Sequence, residues 1–226
     1  MSRTKRKSAN SEIASKFIGP QPIETAIKAV KSFKGPKFDQ SIEVVVHLGI
    51  DPRQADQQLR GSLALPHGVG KSKRVICFCP DDKTNVAREA GAIEAGGEDL
   101  VKKIEDGWMD FDVAVATPDM MRVVSRLGRA LGPKGLMPSP KAGTVTPDVA
   151  TAVREYAAGK LSYRNDDYGN IHCVFGKMSF SDDKLQDNLN AFLETVNKIR
   201  PSAAKGQYLK KCVISGTMTP GVQVAV

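Results

Sequence analysis

The sequence predicts an α/β protein of two domains, one of which is discontinuous and contains both chain ends. Residues 68–158 alternate short apolar strands with short helices, a pattern typical of parallel βαβ units covered on both faces. The net charge of +8 lies outside that segment: residues 1–67 hold 11 basic and 6 acidic side chains, residues 159–226 hold 9 and 6, and residues 68–158 hold 13 of each. We therefore expect a three-layer α/β domain at 68–158, inserted into an α+β domain formed by 1–67 and 159–226.

The first part of the discontinuous domain is predicted to contain two helices and two strands. Residues 11–18 and 22–33 are expected to be helical, because the second stretch has the 3–4 apolar spacing of a helix and Pro22 suits a first turn. The β-branched run at 41–50 predicts a strand, and residues 57–68 predict another.

The middle of the chain predicts strands at 74–80, 92–97 and 111–118, and helices at 83–91, 98–107, 120–132 and 146–159. The last helix is expected to begin at Thr146, with Pro147 as its first residue. Cys77 and Cys79 share one face of the first strand. We expect all four cysteines to be small core residues, since no CxxC pair or His/Cys cluster has the spacing of a zinc site.

After residue 160 the pattern predicts two strands around a turn at 166–169, then an amphipathic helix at 181–200 capped by Ser181. Two further β-like segments, 210–216 and 221–226, end the chain. Neither end of the chain has many strands of its own. We therefore expect the two ends to combine into one domain.

The segment HGVGKSKRV, residues 67–75, resembles the end of a phosphate-binding loop. The first glycine of GxxxxGK[ST] would stand at Leu65, and a strand follows where that motif needs a helix. The turn CPDDKTN also lacks the GxGxxG of dinucleotide-binding proteins. A nucleotide-using enzyme with an α/β domain is the alternative function, although both of its expected motifs are incomplete. We expect residues 67–75 to connect the two domains, with Gly68 and Gly70 as hinge residues. Gly159 is the expected hinge residue where the chain returns to the discontinuous domain.

Signals for other protein classes are weak. The histidines lie in different segments and neither GxSxG nor HExxH occurs, so no catalytic residue, metal ligand or cofactor is expected. No apolar run approaches the ~20 residues of a membrane span, and no secretory signal is recognisable, which favours a cytoplasmic protein. No helix-turn-helix or basic-zipper pattern indicates a DNA-binding protein. The basic net charge suggests a polyanionic partner.

Residues 128–145, GRALGPKGLMPSPKAGTV, form the most unusual segment. It has four glycines, three prolines and no acidic residue, and it carries Arg129, Lys134 and Lys141, with Arg126 nearby. A regular helix cannot run through it, so a long loop at one edge of the inserted domain is expected. The loop is either a mobile surface segment or a second contact with RNA phosphates.

The same segment resembles the signature of the ribosomal protein L-one family (universal uL-one) in its bacterial form. The stretches KFDQSIEVVVHLGIDPRQADQQLRGSLALPHGVGK, GKLSYRNDDYGNIHCVFGKMSF and SGTMTPGVQV agree in order, so the resemblance covers essentially the whole chain. It implies a split domain that binds large-subunit ribosomal RNA at a mobile stalk, and a Rossmann-like domain inserted between hinge strands. It also implies release of deacylated exit-site tRNA, repression of translation from the protein's own operon mRNA, no catalysis and no small-molecule substrate.

The resemblance places RNA contacts on three stretches of the split domain. Hydroxyl, lysine and arginine side chains suit phosphates and ribose 2′-OH groups, whereas Phe38 and Met218 are equally compatible with core positions. Ser41 keeps the hydroxyl of the threonine that many relatives have. Thr219 stands where many relatives have glycine, and threonine resists positive φ. The implied contact residues are Lys37, Phe38, Ser41, Glu43, Arg164, Gly169, His172, Ser215, Thr217 and Met218.

Overall fold

The computed structural model describes residues 4–70 and 72–226, and it is mixed α/β, as predicted. The chain folds into two compact units. The split unit contains the chain up to Gly70 together with Tyr163–Val226, and the inserted unit contains the residues between them. None of the helices in the described ranges is long and apolar enough to cross a membrane.

The split unit is built on an antiparallel sheet with the strand order β7-β1-β8-β9. The four strands are β1 Ser41–Leu48, β7 Asn170–Lys177, β8 Leu209–Gly216 and β9 Val222–Val224. In β1 the side chains of Ile42, Val44, Val46 and Leu48 are buried, and the residues between them are half-exposed. Helices α2 Ile23–Ser32 and α8 Asp182–Lys198 contact this sheet and each other, and they cover its apolar face.

Helix α1, Lys5–Ala14, begins and ends earlier than the sequence predicts. Thr4 caps it, because the Thr4 hydroxyl accepts the N–H of Lys7 at 3.4 Å. Asn10 is buried and anchors the helix: its amide donates to the Lys34 carbonyl at 3.0 Å and accepts the Lys34 N–H at 2.8 Å. The position of α1 is therefore set by a cap and a polar anchor, and the predicted range of 11–18 was wrong.

The two strands predicted after residue 160 exist, but they belong to different sheets. Strand β6, Leu161–Arg164, pairs with β2, Arg60–Leu63, whereas β7 pairs with β1. An isolated antiparallel bridge pairs Asn165, directly after β6, with Ile171 of β7. The turn between them therefore connects two sheets and does not close a simple hairpin.

Ser181 occupies the N-cap of α8, as predicted, but its side chain makes no capping hydrogen bond. Lys31 of α2 contacts this end of the helix. Its ammonium lies 2.5 Å from the Phe180 carbonyl oxygen and 2.5 Å from a carboxylate oxygen of Asp182. This contact fastens the start of α8 to the end of α2.

The inserted unit contains a parallel sheet with the order β4-β3-β5. Its elements are β3 Val75–Phe78, α3 Asp81–Glu89, β4 Glu94–Gly96, α4 Glu98–Glu105, β5 Val113–Ala116 and α7 Val149–Ala157. Val75 and Cys77 of β3 belong to one apolar cluster with residues of α3 and α7. Ile76 and Phe78 belong to a second cluster with residues of α4. The sheet is thus covered on both faces.

Two helices of the inserted unit differ from their predicted form. The helix expected at 120–132 consists of α5 Met121–Val124, a 3₁₀ turn at Ser125–Leu127 and α6 Gly128–Leu131. Serine and glycine at the junctions are weak helix formers, which accounts for the interruption. Helix α7 begins after Asp148, whose carboxylate accepts the Thr151 N–H at 3.2 Å, and Thr146 is not its cap.

All four cysteine side chains are buried, in agreement with the prediction that they are core residues. Burial raises the pKa of the Cys77 thiol and raises the pKa of Cys212 to about 12. Thiols with such pKa values are protonated near neutral pH and are poor nucleophiles. Among the described residues, no group of three or more His, Cys, Asp or Glu side chains is placed to hold a metal ion.

The buried amide of Asn188 holds the end of the first chain segment against α8. It accepts the His67 N–H at 3.0 Å and donates to the carbonyls of Gly68 at 2.9 Å and Phe175 at 2.8 Å. Because buried backbone groups need partners, this contact keeps residues 67 and 68 in the split unit. The sequence places the boundary before residue 68, whereas the compact unit extends to Gly70.

The glycines predicted as hinge residues all have positive φ: +60° at Gly68, +72° at Gly70 and +108° at Gly159. At Gly70 a side chain would also be crowded, because a Cβ atom would lie 2.9 Å from the Phe180 ring. Glycine at position 70 is thus required locally, whatever motion it permits.

Candidate nucleic-acid interface

The face of the four-stranded sheet opposite α2 and α8 is lined by half-exposed and exposed side chains, many of them polar. We call it the open face. It consists of Ser41, Glu43, Val45, His47, Asn170, His172, Val174, Lys177, Lys211, Val213 and Ser215. Four of the residues implied by the family resemblance lie on it, and Thr217 continues it directly after β8. Three distant stretches of sequence therefore meet on one surface.

The strand register fixes which of these residues are neighbours. Glu43, at the centre, is paired with Ser215 of β8 and with Val174 of β7. His172 is paired with Val45, one step further along β1. Glu43 is the only acidic residue on the open face as defined, so its carboxylate is an acceptor among hydroxyl and basic groups.

Lys177 is a functional candidate that the sequence reasoning missed. Its ammonium donates to the Ser41 hydroxyl at 3.0 Å, which places it on the open face. Simple alternation from His172 would turn Lys177 toward the core. However, the β1–β7 register shifts between Ile42 and Glu43, and the extra residue in β7 is Phe175. A β-bulge of this kind changes the facing of every later residue, and sequence alternation cannot detect it.

The site extends beyond the sheet at the start of β1 and the end of β8. Lys37 and Phe38 come shortly before β1, and Met218 comes shortly after β8. Lys37 is exposed, and the side chains of Phe38 and Met218 are 56% and 51% exposed. The alternative that Phe38 and Met218 are core residues is therefore wrong. The loop that carries Phe38 is held by Asp39, whose carboxylate accepts the Ser179 hydroxyl at 2.8 Å.

Thr219 fits its turn without strain. Among the described residues, only glycines have positive φ, so threonine at this position meets no left-handed conformation. Its hydroxyl accepts the Gly216 N–H at 2.9 Å, and its own N–H donates to the Gly216 carbonyl at 3.1 Å. The Thr219 hydroxyl thus adds a hydrogen bond that closes the turn carrying Thr217 and Met218.

Arg164, Gly169 and His172 lie around the turn at 166–169, at the other end of the open face. Arg164 is exposed at the end of β6. Gly169 has φ +78°, and a Cβ atom there would lie 3.3 Å from the Leu48 carbonyl oxygen. The site therefore needs glycine at 169 for backbone geometry, and only Arg164 and His172 offer side chains to a ligand.

A hydrogen-bond network holds this turn together. Burial opposes ionisation of Asp166, but hydrogen bonds from Asn170 and from the Tyr168 N–H outweigh it and lower the pKa of Asp166 to about 2. The Asn170 N–H and amide lie 2.7 and 2.8 Å from the carboxylate, which also lies 3.5 Å from His172 Nε2. Asn170 in turn bonds His47 Nδ1 at 2.8 Å.

Stability should consequently fall in acid. Because the folded-state pKa of Asp166 is below its unfolded value of 3.8, its contribution is present above pH 4 and is lost as pH falls through about 2. Asp166 is a third exposed, and after allowance for solvent screening we expect a loss of about 1 kcal/mol between pH 5 and pH 2. The free energy of unfolding of Asp166→Asn, measured with urea, should change by about 1 kcal/mol less than that of the parent over this pH range. Asp167→Asn alters an exposed neighbour and should match the parent. Equal pH profiles for all three proteins would contradict this.

The segment 128–145 belongs to the inserted unit and is not part of the open face. It contains α6 and a 3₁₀ turn at Pro140–Ala142, and it is packed where the Tyr156 hydroxyl donates to the Ala142 carbonyl at 2.5 Å. Arg129 and Lys134 are exposed, and the Lys134 ammonium lies 2.7 Å from the Met109 sulfur. The side chain of Lys141 lies outside the described part of the structure.

Comparisons with known proteins match most of the chain. The model of the Ribosomal protein L1p/L10e family matches residues 23–220, a range that includes the open face, Met218 and the segment 128–145. A protein of Nocardioides sp. named Large ribosomal subunit protein uL1 is 50% identical over 223 residues, which is 99% of this chain and 92% of that protein.

Proposed function

This chain belongs to the ribosomal protein L1p/L10e family, and we propose that it is a structural constituent of the large ribosomal subunit that binds large-subunit ribosomal RNA through the open face. The observation that carries the proposal is the convergence of three distant stretches on one half-exposed, mostly polar sheet face, with exposed apolar side chains at its end.

The open face offers the groups that RNA recognition needs. The hydroxyls of Ser41, Ser215 and Thr217 can bond phosphate oxygens and ribose 2′-OH groups, and Lys177 supplies positive charge beside Ser41. Glu43 accepts hydrogen bonds, and its place opposite Ser215 suits a 2′-OH, which DNA lacks.

Exposed apolar side chains complete the proposed site. Phe38 and Met218 can pack against bases or riboses, since a base–aromatic contact contributes about 1–3 kcal/mol and tolerates different sequences. Lys37, in the same loop as Phe38, is free of the sheet and can neutralise a phosphate nearby. His172 and Arg164 would contact the RNA backbone at the opposite end of the face.

We extend the proposal to the domains and to the remaining family functions. The split unit, predicted as 1–67 with 159–226, is the RNA-binding domain, and 68–158 is a Rossmann-like domain that moves about Gly68, Gly70 and Gly159. On the ribosome it would assist release of deacylated exit-site tRNA, with Arg129, Lys134 and Lys141 as a second RNA contact. The open face would also bind the protein's own operon mRNA and so repress its translation in the cytoplasm.

The inserted unit offers little support for the alternative of a nucleotide-using enzyme. Asp81 and Asp82 occupy the first turn of α3, directly after β3. A phosphate bound at that helix N-terminus would be repelled by two carboxylates. We propose that the protein is not an enzyme and uses neither a cofactor nor a small-molecule substrate.

Affinity for the stalk segment of large-subunit ribosomal RNA, measured by filter binding at several salt concentrations, tests the proposal. With Lys37, Arg164 and Lys177 each on one phosphate, log K should fall with log salt with a slope of about −2 to −3. A DNA strand of the same sequence should bind at least 10-fold more weakly, because it lacks the 2′-OH. Salt-independent binding, or equal affinity for the DNA, would contradict the proposed interface.

A further inference from the structure

Gln40 belongs to one of the two loops that carry the exposed apolar residues of the proposed site. One loop, 37–40, leads from α2 into β1 and carries Phe38, and the other, 217–220, follows β8 and carries Met218. Gln40 itself is 4% exposed, so its side chain is not available to a ligand. A buried amide beside a binding surface calls for a structural explanation, because burial of polar groups is costly unless they are hydrogen-bonded.

The hydrogen bonds of Gln40 join the two loops. The Met218 N–H donates to the side-chain oxygen of Gln40 at 2.9 Å. The Met178 N–H donates to the Gln40 carbonyl at 2.9 Å, which adds the segment after β7 to the same assembly. The neighbouring Thr217 N–H donates to the Ser41 carbonyl at 3.1 Å. Three segments that are far apart in sequence are thereby held together at one end of the sheet.

The side-chain bond differs from the others in one respect. Strand pairing ends at Gly216, so Met218 lies beyond the sheet ladder and its N–H has no strand partner there. The Gln40 amide replaces that partner. Without it, the turn closed by Thr219 and the bond from Thr217 to Ser41 would remain, but Met218 would lose its own hydrogen bond to the segment that carries Phe38.

We propose that Gln40 is a positioning residue for RNA binding: without touching RNA, it fixes Met218 in register with Ser41 and Phe38, so that the two loops present one preorganised surface. The inference rests on the proposed function. Its physical basis is that loops ordered before binding do not lose that freedom on binding, so preorganisation raises affinity.

The test compares Gln40→Met with Gln40→Glu in the full-length protein. Methionine has a similar length but no strong acceptor for the Met218 N–H, whereas glutamate keeps an acceptor oxygen. We expect Gln40→Met to bind the stalk RNA about 10-fold more weakly and to lose hydrogen-exchange protection at the Met218 amide. Gln40→Glu should retain that protection and, at a salt concentration that screens its added carboxylate, should bind the RNA more tightly than Gln40→Met does.

Val196→Ala provides the control for general stability, because Val196 is fully buried in α8 and neither loop contains it. At a temperature where all proteins are folded, it should bind RNA like the parent. The proposal is overturned if affinity does not follow Met218 protection across the Gln40 variants, or if Val196→Ala weakens binding as much as Gln40→Met. If the parent itself does not bind the RNA, the proposed function fails instead.

Discussion

Ser215→Glu is expected to weaken binding to the stalk RNA by at least about 100-fold. Ser215 is half-exposed at the centre of the open face and is paired with Glu43. The substitution removes a hydroxyl and adds a second carboxylate where phosphates would approach. The introduced carboxylate and an RNA phosphate about 5 Å away would repel by roughly 3 kcal/mol at an effective dielectric constant of about 20. This energy corresponds to about 100-fold in affinity. Filter binding at low salt measures the effect.

Asn197→Glu is the matched control for Ser215→Glu. It makes the same change in charge, but Asn197 is exposed on α8, which covers the other face of the sheet. We expect its RNA affinity to fall less than about 3-fold, since solvent-exposed charges are screened within about 10 Å at 0.1 M salt. Equal losses for the two variants would mean that net charge, and not the open face, governs binding. If the protein's own operon mRNA also binds the open face, Ser215→Glu should weaken binding to that mRNA as well.

The double variant Phe38→Ala, Met218→Ala should lose roughly 100-fold in RNA affinity while remaining almost as stable as the parent. Both side chains are more than half exposed, so their truncation should cost the folded state less than about 1 kcal/mol. Each is expected to contact a base or ribose. A base stacked on Phe38 contributes about 1–3 kcal/mol, and burial of the Met218 side chain against RNA contributes about 1 kcal/mol or more. Calorimetric titration with RNA and urea unfolding measure the two effects separately.

Val86→Ala, which truncates an exposed apolar side chain of α3 in the inserted unit, should change neither quantity. If the double variant bound RNA like the parent, Phe38 and Met218 would not be contacts. If it unfolded several kcal/mol more easily, the two side chains would act as core residues despite their exposure.

Elements with strong local signals were predictable from the sequence. The β-branched run that becomes β1, the apolar faces of α2 and α8, and the apolar strand β3 all lie where the pattern indicates. Helix α1 was misplaced because Thr4 and Asn10 determine its position, and a buried polar anchor leaves no periodic signal. The different sheets of β6 and β7 depend on long-range pairing, which a turn sequence does not encode.

The candidate site was predictable residue by residue only where the family resemblance supplied a motif. Strand register then explains why Ser41, Glu43 and Ser215 are neighbours, since pairing between β1 and β8 joins positions that are far apart in the chain. Lys177 escaped the prediction because of the bulge at Phe175. Gln40 escaped it because a glutamine in sequence does not reveal that its amide will be buried against another loop.

Site-specific photo-cross-linking on the assembled large subunit tests the central claim most directly. A photoreactive amino acid at Val213, on the open face between Lys211 and Ser215, should cross-link to large-subunit ribosomal RNA. The same group at Asn197 on α8 should give little cross-linked RNA. Strong cross-linking at Asn197 with none at Val213 would contradict the assignment of the open face as the RNA-binding surface.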